Sequence, residues 1–275
     1  METKIGFIGI GNMGYGMVKN LLAHGFSILA FDIDQEKLDS AVGLGAEKAK
    51  NIQEIADLVE TVILALPHPD ISKQVVLDLI KGENTKTIIE TSTLTPEDSS
   101  FFNAELAAKH IRYLCAPMLA GKQMALEGNI HFIVEGKNEI FEQHEKLFES
   151  MGNATFLGEV PNATLAKLAY NICRYSNVAT ALTVIQFLKQ YSNNLAPIYK
   201  VLAEGSLDNF GQVWKEEMSE VAIENKPYKF AGSKIPVKDL SLVIKMAGQK
   251  GLSKELFEQI KKVYESISNG SEKGV

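Results

Sequence analysis

The sequence predicts an α/β chain, with an N-terminal, mostly parallel sheet covered by helices on both faces and an all-α C-terminal domain. Three observations predict it. Short apolar runs alternate with helix-patterned segments through the first half, and alternation of this kind requires crossover helices over a parallel sheet. A glycine cluster, Gly9-Ile10-Gly11-Asn12-Met13-Gly14, stands between the first apolar run and the first helix. After about Leu157 the strand-like runs stop and only helical patterning continues.

Taken in order, Lys4 to Ile8 reads as a strand, and Asn12 to His24 as a helix with Met13, Met17 and Leu21 at four-residue spacing. Ser27 to Asp32 is a second strand, and a polar helix follows from Gln35 to about Leu44. Thr61 to Pro67, Thr87 to Ser92 and Ile111 to Pro117 are further apolar strands, with helices over Asp70 to Ile80 and Pro96 to His110 between them. Ile130 to Gly136 and Ala154 to Leu157 are strands flanking a helix around Glu139 to Met151. Leu165 to Gln190 is then one long helical run, broken by Asn193-Asn194. Helices are expected near Ala196 to Ala203, Gln212 to Glu224, Val237 to Gln249 and Lys254 to Ser268, before a frayed tail from Asn269 to Val275. The change of pattern divides the chain into residues 1–160 and 161–275.

The 275 residues, 45% apolar and 23% charged, have the composition of a soluble globular protein. The formal net charge of −6 disfavours nucleic acid or an anionic membrane as partner, because no basic excess exists to release counterions. No apolar stretch reaches the roughly 18 residues of a spanning helix, and Met1 to Gly6 shows no charged-then-apolar leader, so a cytoplasmic protein is expected. Cys115 and Cys173 lie far apart in apolar contexts and make neither a zinc nor a redox spacing, so two buried, reduced thiols and no metal are expected.

The glycine cluster has the GxGxxG form, in which Gly9 permits a tight turn, Gly11 lets backbone approach a pyrophosphate, and Gly14 allows helix to pack on sheet. The helix start presents unpaired N–H groups to phosphate. Asp32, at the end of the second strand, is placed to accept hydrogen bonds from a ribose. Its carboxylate repels a 2′-phosphate, Asp34 adds to that repulsion, and no arginine adjoins either, which favours NAD over NADP. Residues 1–160 are thus expected to form a Rossmann domain for a nicotinamide dinucleotide.

Four further stretches resemble the β-hydroxyacid dehydrogenase family, which includes 3-hydroxyisobutyrate dehydrogenases and glyoxylate/succinic semialdehyde reductases. They are Asn12-Met13-Gly14 with Asn20-Leu21; Thr91-Ser92-Thr93 with Pro96; Ala116-Pro117 with Gly121; and Lys167 with Asn171, with Lys238-Asp239-Leu240 beyond. The resemblance implies that Lys167 and Asn171 are catalytic. It implies a cofactor site of Gly9, Gly11, Asn12, Met13, Gly14, Asp32, Leu66, Pro67, Thr93 and Lys238. Leu119, Ala120 and Gly121 are implied to bind substrate together with Lys167 and Asn171, with Phe230 a candidate wall. It also implies a helical domain that binds substrate and pairs subunits into a dimer or higher homo-oligomer, with the active site in the cleft between domains. Read from the residues alone, Lys167 and Asn171 are four apart on one helix face, where an amine can relay a proton and an amide can fix geometry. His24, His68 and His131 are assigned none of the chemistry.

The pattern breaks in two places. Leu119 occupies the family's serine position, which removes a hydroxyl donor to a substrate carboxylate, although N–H groups near Ala120 and Gly121, and Lys122 if it turns inward, remain available. The glycine-rich stretch before the lysine is altered to Pro161-Asn162-Ala163. These changes predict an atypical, more apolar pocket within an NAD(P)-dependent dehydrogenase acting on a β-hydroxyacid or small aldehyde acid. An imine reductase and a non-catalytic dinucleotide-binding protein stay open as alternatives.

Overall fold

The structure, a computed structural model, describes residues 4–204, 214–224, 226, 228 and 234–270. The chain divides into two compact units, Met1–Lys167 and Leu168–Val275, and the division falls inside one long helix. Phe230 lies outside the described residues, as do Gln212, Val213 and the tail beyond Gly270.

The first unit runs β1 (Lys4–Ile8), α1 (Asn12–Ala23), β2 (Ser27–Phe31), α2 (Gln35–Gly43), β3 (Glu47–Lys48), α3 (Ile52–Leu58), β4 (Thr61–Leu64), α4 (Pro69–Leu79) and β5 (Thr87–Glu90). It continues with α5 (Pro96–Ala107), β6 (Arg112–Cys115), β7 (Met118–Leu119), α6 (Lys122–Leu126), β8 (Ile130–Gly136), α7 (Asn138–Glu149), β9 (Gly152–Phe156) and the start of α8 (Asn162–Lys189). The strand order is β3-β2-β1-β4-β5-β6-β8-β7, with β9 paired to β8. Strands β1 to β6 are mutually parallel; β8 runs antiparallel to β6 and β7 and parallel to β9. The order 3-2-1-4-5-6 is that of a dinucleotide-binding sheet, whose ligand crevice opens where the order reverses between β1 and β4.

Alternate residues of β1, β2, β4, β5 and β6 enter opposite cores, which explains their near-continuous apolar runs. Phe7, Ile28, Ile63, Ile89 and Leu114 pack with Met17 and Leu21 of α1 and Leu147 and Phe148 of α7. Their neighbours Ile8, Leu29, Leu64, Ile88 and Cys115 pack with Ile55 of α3, Val76 of α4 and Phe102 of α5. The expected α/β class and the two-sided cover are therefore both present.

The short elements β3, α3, β7 and α6 are additions to the sequence expectation. A strand of two residues has no periodicity to read, and β3 and β7 exist through their pairings, Leu29 with Glu47 and Met118 with Phe132.

In the second unit α8 continues to Lys189, and α9 (Ala196–Glu204), a π-helical turn (Trp214–Met218), α10 (Ser219–Ala222), α11 (Ile235–Gln249) and α12 (Glu255–Gly270) follow. Tyr175, Val178, Leu182 and Ile185 of α8 form its core with Met218, Leu240, Ile260 and Tyr264, and the Tyr175 and Tyr264 rings meet edge to face at 5.6 Å. No strand occurs in this unit among the described residues, and no described helix is long and apolar enough to cross a membrane.

Candidate functional site

Parallel strands deliver their C-terminal ends to one edge of the sheet, so the loops leaving β1, β2, β4, β5 and β6 emerge together. These loops and the starts of the elements that follow them hold Gly9 to Gly14, Asp32, Leu66-Pro67, Thr93 and Leu119 to Gly121.

The glycine loop is built by close backbone approach. Gly9 has φ of +100°, which L side chains rarely adopt, and an added Cβ would lie 2.4 Å from the Ala65 carbonyl oxygen. At Gly14 a Cβ would lie 2.0 Å from the Gly9 carbonyl oxygen, so α1 can start against the turn only with glycine there. Gly11 differs: a Cβ would meet nothing within 4 Å. Gly11 is also the N-cap of α1 and offers no side-chain cap, so no cap side chain takes up the first N–H groups of that helix. This is a cradle an anion can fill. The Asp32 carboxylate accepts from Ile10 N–H at 2.6 Å and from Asp34 N–H at 2.8 Å, one bond on each oxygen. A carboxylate has about four lone-pair sites, so each oxygen keeps one for a ribose hydroxyl. The residues present fit a dinucleotide.

Asp34, two residues on, has partners in its own helix. It caps α2, accepting from the N–H groups of Glu36 and Lys37, and pairs with the Lys37 amine at 2.9 Å. The Lys37 contact holds the Asp34 carboxyl below the usual carboxylate range. Its charge is directed into its own helix.

The next two loops are tied by a short relay. Glu90, fully buried at the end of β5, accepts from Ser92 N–H at 2.8 Å, and the Ser92 hydroxyl accepts from Leu66 N–H at 2.8 Å. Thr93 and Leu66-Pro67 are thereby carried by one polar frame.

At the β6 end, Met118 and Leu119 form β7, with Leu119 half-buried and paired in register with His131. Ala120 is half-buried, Gly121 is the N-cap of α6, and Lys122 is exposed at that helix's first turn. Lys167 is half-buried, and its amine donates to the Met118 carbonyl oxygen at 2.7 Å. The structure thus brings Lys167 to the segment carrying Leu119.

Asn171 and Lys238 belong to the second unit, where they share one acid. The Asn171 amide donates to Asp239 Oδ2 at 2.8 Å, the Tyr175 hydroxyl donates to the same atom at 2.9 Å, and the Lys238 amine pairs with Asp239 Oδ1 at 3.1 Å. Burial, then the Asp239 charge, pushes the Tyr175 hydroxyl well up, so it stays a donor. Asp239 was not singled out as a site residue. The available signal is its place on a buried face of α11, with Pro236, Leu240, Val243 and Ala247.

Glu90 and Glu135 were also missed. Both are fully buried and flank Cys115 in register across β5, β6 and β8. Burial first, then the Glu135 and Glu90 charges, push the Cys115 thiol well up and keep it a protonated filler. The expectation of two buried thiols is corrected at Cys173, which is exposed on α8. Among the described residues no group of three His, Cys, Asp or Glu side chains is placed to hold a metal. His68 caps α4, while His24 and His131 bond Asn20 and Thr155.

The family described as the NAD binding domain of 6-phosphogluconate dehydrogenase matches residues 4–160. A mitochondrial 3-hydroxyisobutyrate dehydrogenase of Mus musculus is 30% identical over 62% of this chain and 52% of its own length. A cytokine-like nuclear factor N-PAC of Anopheles gambiae is 30% identical over 61% of the chain and 30% of its own length. The chain therefore spans about a third to a half of these curated relatives. A solved Mycobacterium tuberculosis 3-hydroxyisobutyrate dehydrogenase with L-serine superposes with a TM-score of 0.83 at 18% identity, covering 100% of this chain and 96% of that one. A reductive aminase from Aspergillus terreus in complex with NADPH and ethyl-5-oxohexanoate gives 0.68 at 18% identity with the same coverage. At such identities the likeness is one of fold.

Proposed function

The chain belongs to the family of the NAD binding domain of 6-phosphogluconate dehydrogenase, and on that premise we propose that it is a nicotinamide-dependent oxidoreductase acting on a β-hydroxyacid or small aldehyde acid. The observation that carries the reading is the Lys167 amine, held 2.7 Å from the Met118 carbonyl beside Leu119. In this reading Gly9, Gly11, Asn12, Met13 and Gly14 hold the pyrophosphate, and Asp32 the adenosine ribose. Leu66, Pro67 and Thr93 complete the cofactor site of the first unit. When bound, the nicotinamide supplies two-electron redox chemistry at the substrate carbon.

The chain's own work is proton handling and orientation. A lysine amine carries up to three donors, and one of them lies on Met118 O. That bond aims the rest of the group along the substrate segment. In oxidation the neutral amine takes the proton of the substrate hydroxyl; in reduction the ammonium returns it to the forming alkoxide oxygen. Asn171 is one helical turn further on α8, and its amide orientation is fixed by Asp239. The first unit is the dinucleotide domain, and the helical unit is assigned substrate binding and subunit pairing.

NAD is the proposed cofactor, on the strength of the Asp32 carboxylate. Asp32→Asn is expected to raise NADPH affinity relative to NADH by about tenfold or more, since one charge-assisted hydrogen bond is worth about 1.5–3 kcal/mol. Fluorescence titration with both cofactors reads the ratio, and a wild-type chain that binds NADPH as tightly as NADH removes the preference.

Leu119 makes the proposed pocket more apolar than that of a standard 3-hydroxyisobutyrate enzyme. Leu119→Ser restores a donor for a substrate carboxylate and is expected to raise kcat/KM for 3-hydroxyisobutyrate by about 10- to 100-fold. Efficient wild-type turnover of that acid, with no gain in the variant, would count against the apolar pocket.

A second reading, a dinucleotide binder without turnover, is favoured by the same Leu119 and by the altered stretch Pro161 to Ala163. Absorbance assays on panels of hydroxyacids, semialdehydes and cyclic imines separate the two. NADH binding with no turnover in any panel selects the binder.

A further inference from the structure

The Lys167–Met118 contact has two ends, and one strand governs both. At Phe132, β8 pairs with Met118 of β7, and Ile133 N–H donates to the Pro117 carbonyl at 3.1 Å. Three residues further along β8, the fully buried Glu135 carboxylate meets the first turn of α8. Its Oε2 accepts from Ala163 N–H at 2.6 Å and Thr164 N–H at 3.1 Å, and its Oε1 from the Thr164 hydroxyl at 2.9 Å. The Ser99 hydroxyl of α5 donates to Oε1 at 2.5 Å.

We propose that Glu135 is a positioning residue for Lys167: it fixes the start of α8 relative to β8 and so sets the amine against the substrate segment. All four contacts are donors to the carboxylate, and none is a cationic side chain. The counter-charge is the N-terminal dipole of a helix of 28 residues, roughly half an elementary charge. Ala163 lies one helical turn before Lys167, and in an α-helix its carbonyl takes the Lys167 N–H, so a shift of the first turn is passed to the lysine. Met118 does not follow such a shift, because β8 holds it independently through Phe132. Loss of the Glu135 contacts therefore changes the distance between amine and carbonyl, not merely the stability of the fold.

The kinetic consequence rests on the dehydrogenase reading, whereas the positional one does not, so two measurements are needed on the full chain. The first is kcat on a substrate from the panels, with NADH affinity alongside. The second is the rate of reductive methylation of Lys167, resolved by peptide mass spectrometry, with the exposed Lys50 as reference. Glu135→Ala is expected to lower kcat by up to about 100-fold, the cost of a misplacement near 1 Å, with NADH affinity retained and Lys167 methylated several times faster. Glu135→Asp, shorter by one methylene, should move both readouts the same way by less. Glu135→Gln should restore both, since its oxygen can take the two N–H donors and its amide can face the two hydroxyls once they rotate.

A wild-type chain with no turnover, but with Lys167 methylation still responding, sinks the dehydrogenase reading and leaves the positioning role standing. Wild-type kcat and wild-type methylation in a folded Glu135→Ala overturn the proposal. If that variant does not fold, the same result in Glu135→Asp overturns it.

Discussion

Replacing Lys167 with alanine is expected to lower turnover by about 10²- to 10⁴-fold, the usual contribution of a positioned general acid or base, while NADH affinity is retained. The asymmetry follows from placement. The groups proposed to hold the pyrophosphate and the ribose are backbone at Gly9 to Gly14 and the Asp32 carboxylate, whereas the Lys167 amine is bonded to Met118 at the start of β7. Lys167→Arg separates the chemistry from the charge. A guanidinium keeps a cation near Met118 but does not lose a proton in a protein. If Lys167 moves a proton, the arginine enzyme should be nearly as slow as the alanine one. If it only balances charge, arginine should recover most of the rate. Wild-type turnover in Lys167→Ala would remove the amine from the reaction.

What could be read from the chain depended on whether the cause of each feature is local. Val62, Ile63 and Leu64 announce a strand buried on both faces because each meets one of two cores. Gly9 to Gly14 announces itself because the constraint lies between residues five apart: the Cβ forbidden at Gly14 would strike the carbonyl of Gly9. Lys167 and Asn171 were legible through a resemblance, and the contact that gives Lys167 a place spans 49 residues. Glu135 carried no signal. An acid at the end of the apolar run Phe132-Ile133-Val134 reads as a strand edge reaching water, and it is buried because the first turn of α8, 28 residues on, closes over it. Asp239 is similar, held by Asn171 from 68 residues away. Buried charge is where periodicity misleads, because its partners are set by tertiary approach rather than by neighbours along the chain.

The second and third glycines of the dinucleotide loop, Gly11 and Gly14, should fail differently, and the contrast tests what the loop is for. In Gly14→Ala the added methyl group falls 2.0 Å from the Gly9 carbonyl oxygen and 3.1 Å from Phe7 Cε1. The carbonyl is not free to yield, since Gly9 N–H is bonded to Phe31 O at 3.0 Å and its far side lies against Ala65. Helix α1 must move off the turn. Overpacking of this kind costs about 1–3 kcal/mol, and each kcal/mol lowers Tm by about 2–4 °C in a domain of 150–250 residues. Dinucleotide affinity should fall with it, by about 10- to 100-fold for each charge-assisted hydrogen bond lost from the phosphates. Gly11→Ala has no such conflict, because its φ of −74° suits alanine and its methyl group would meet no protein atom within 4 Å. That variant should melt with the wild type and still bind NADH at least tenfold more weakly, the methyl group occupying space the pyrophosphate needs. Thermal melts and fluorescence titrations on the pair give the answer. A Gly11→Ala chain with full NADH affinity would mean that the open side of the turn is not where a dinucleotide lies, whatever happens at Gly14.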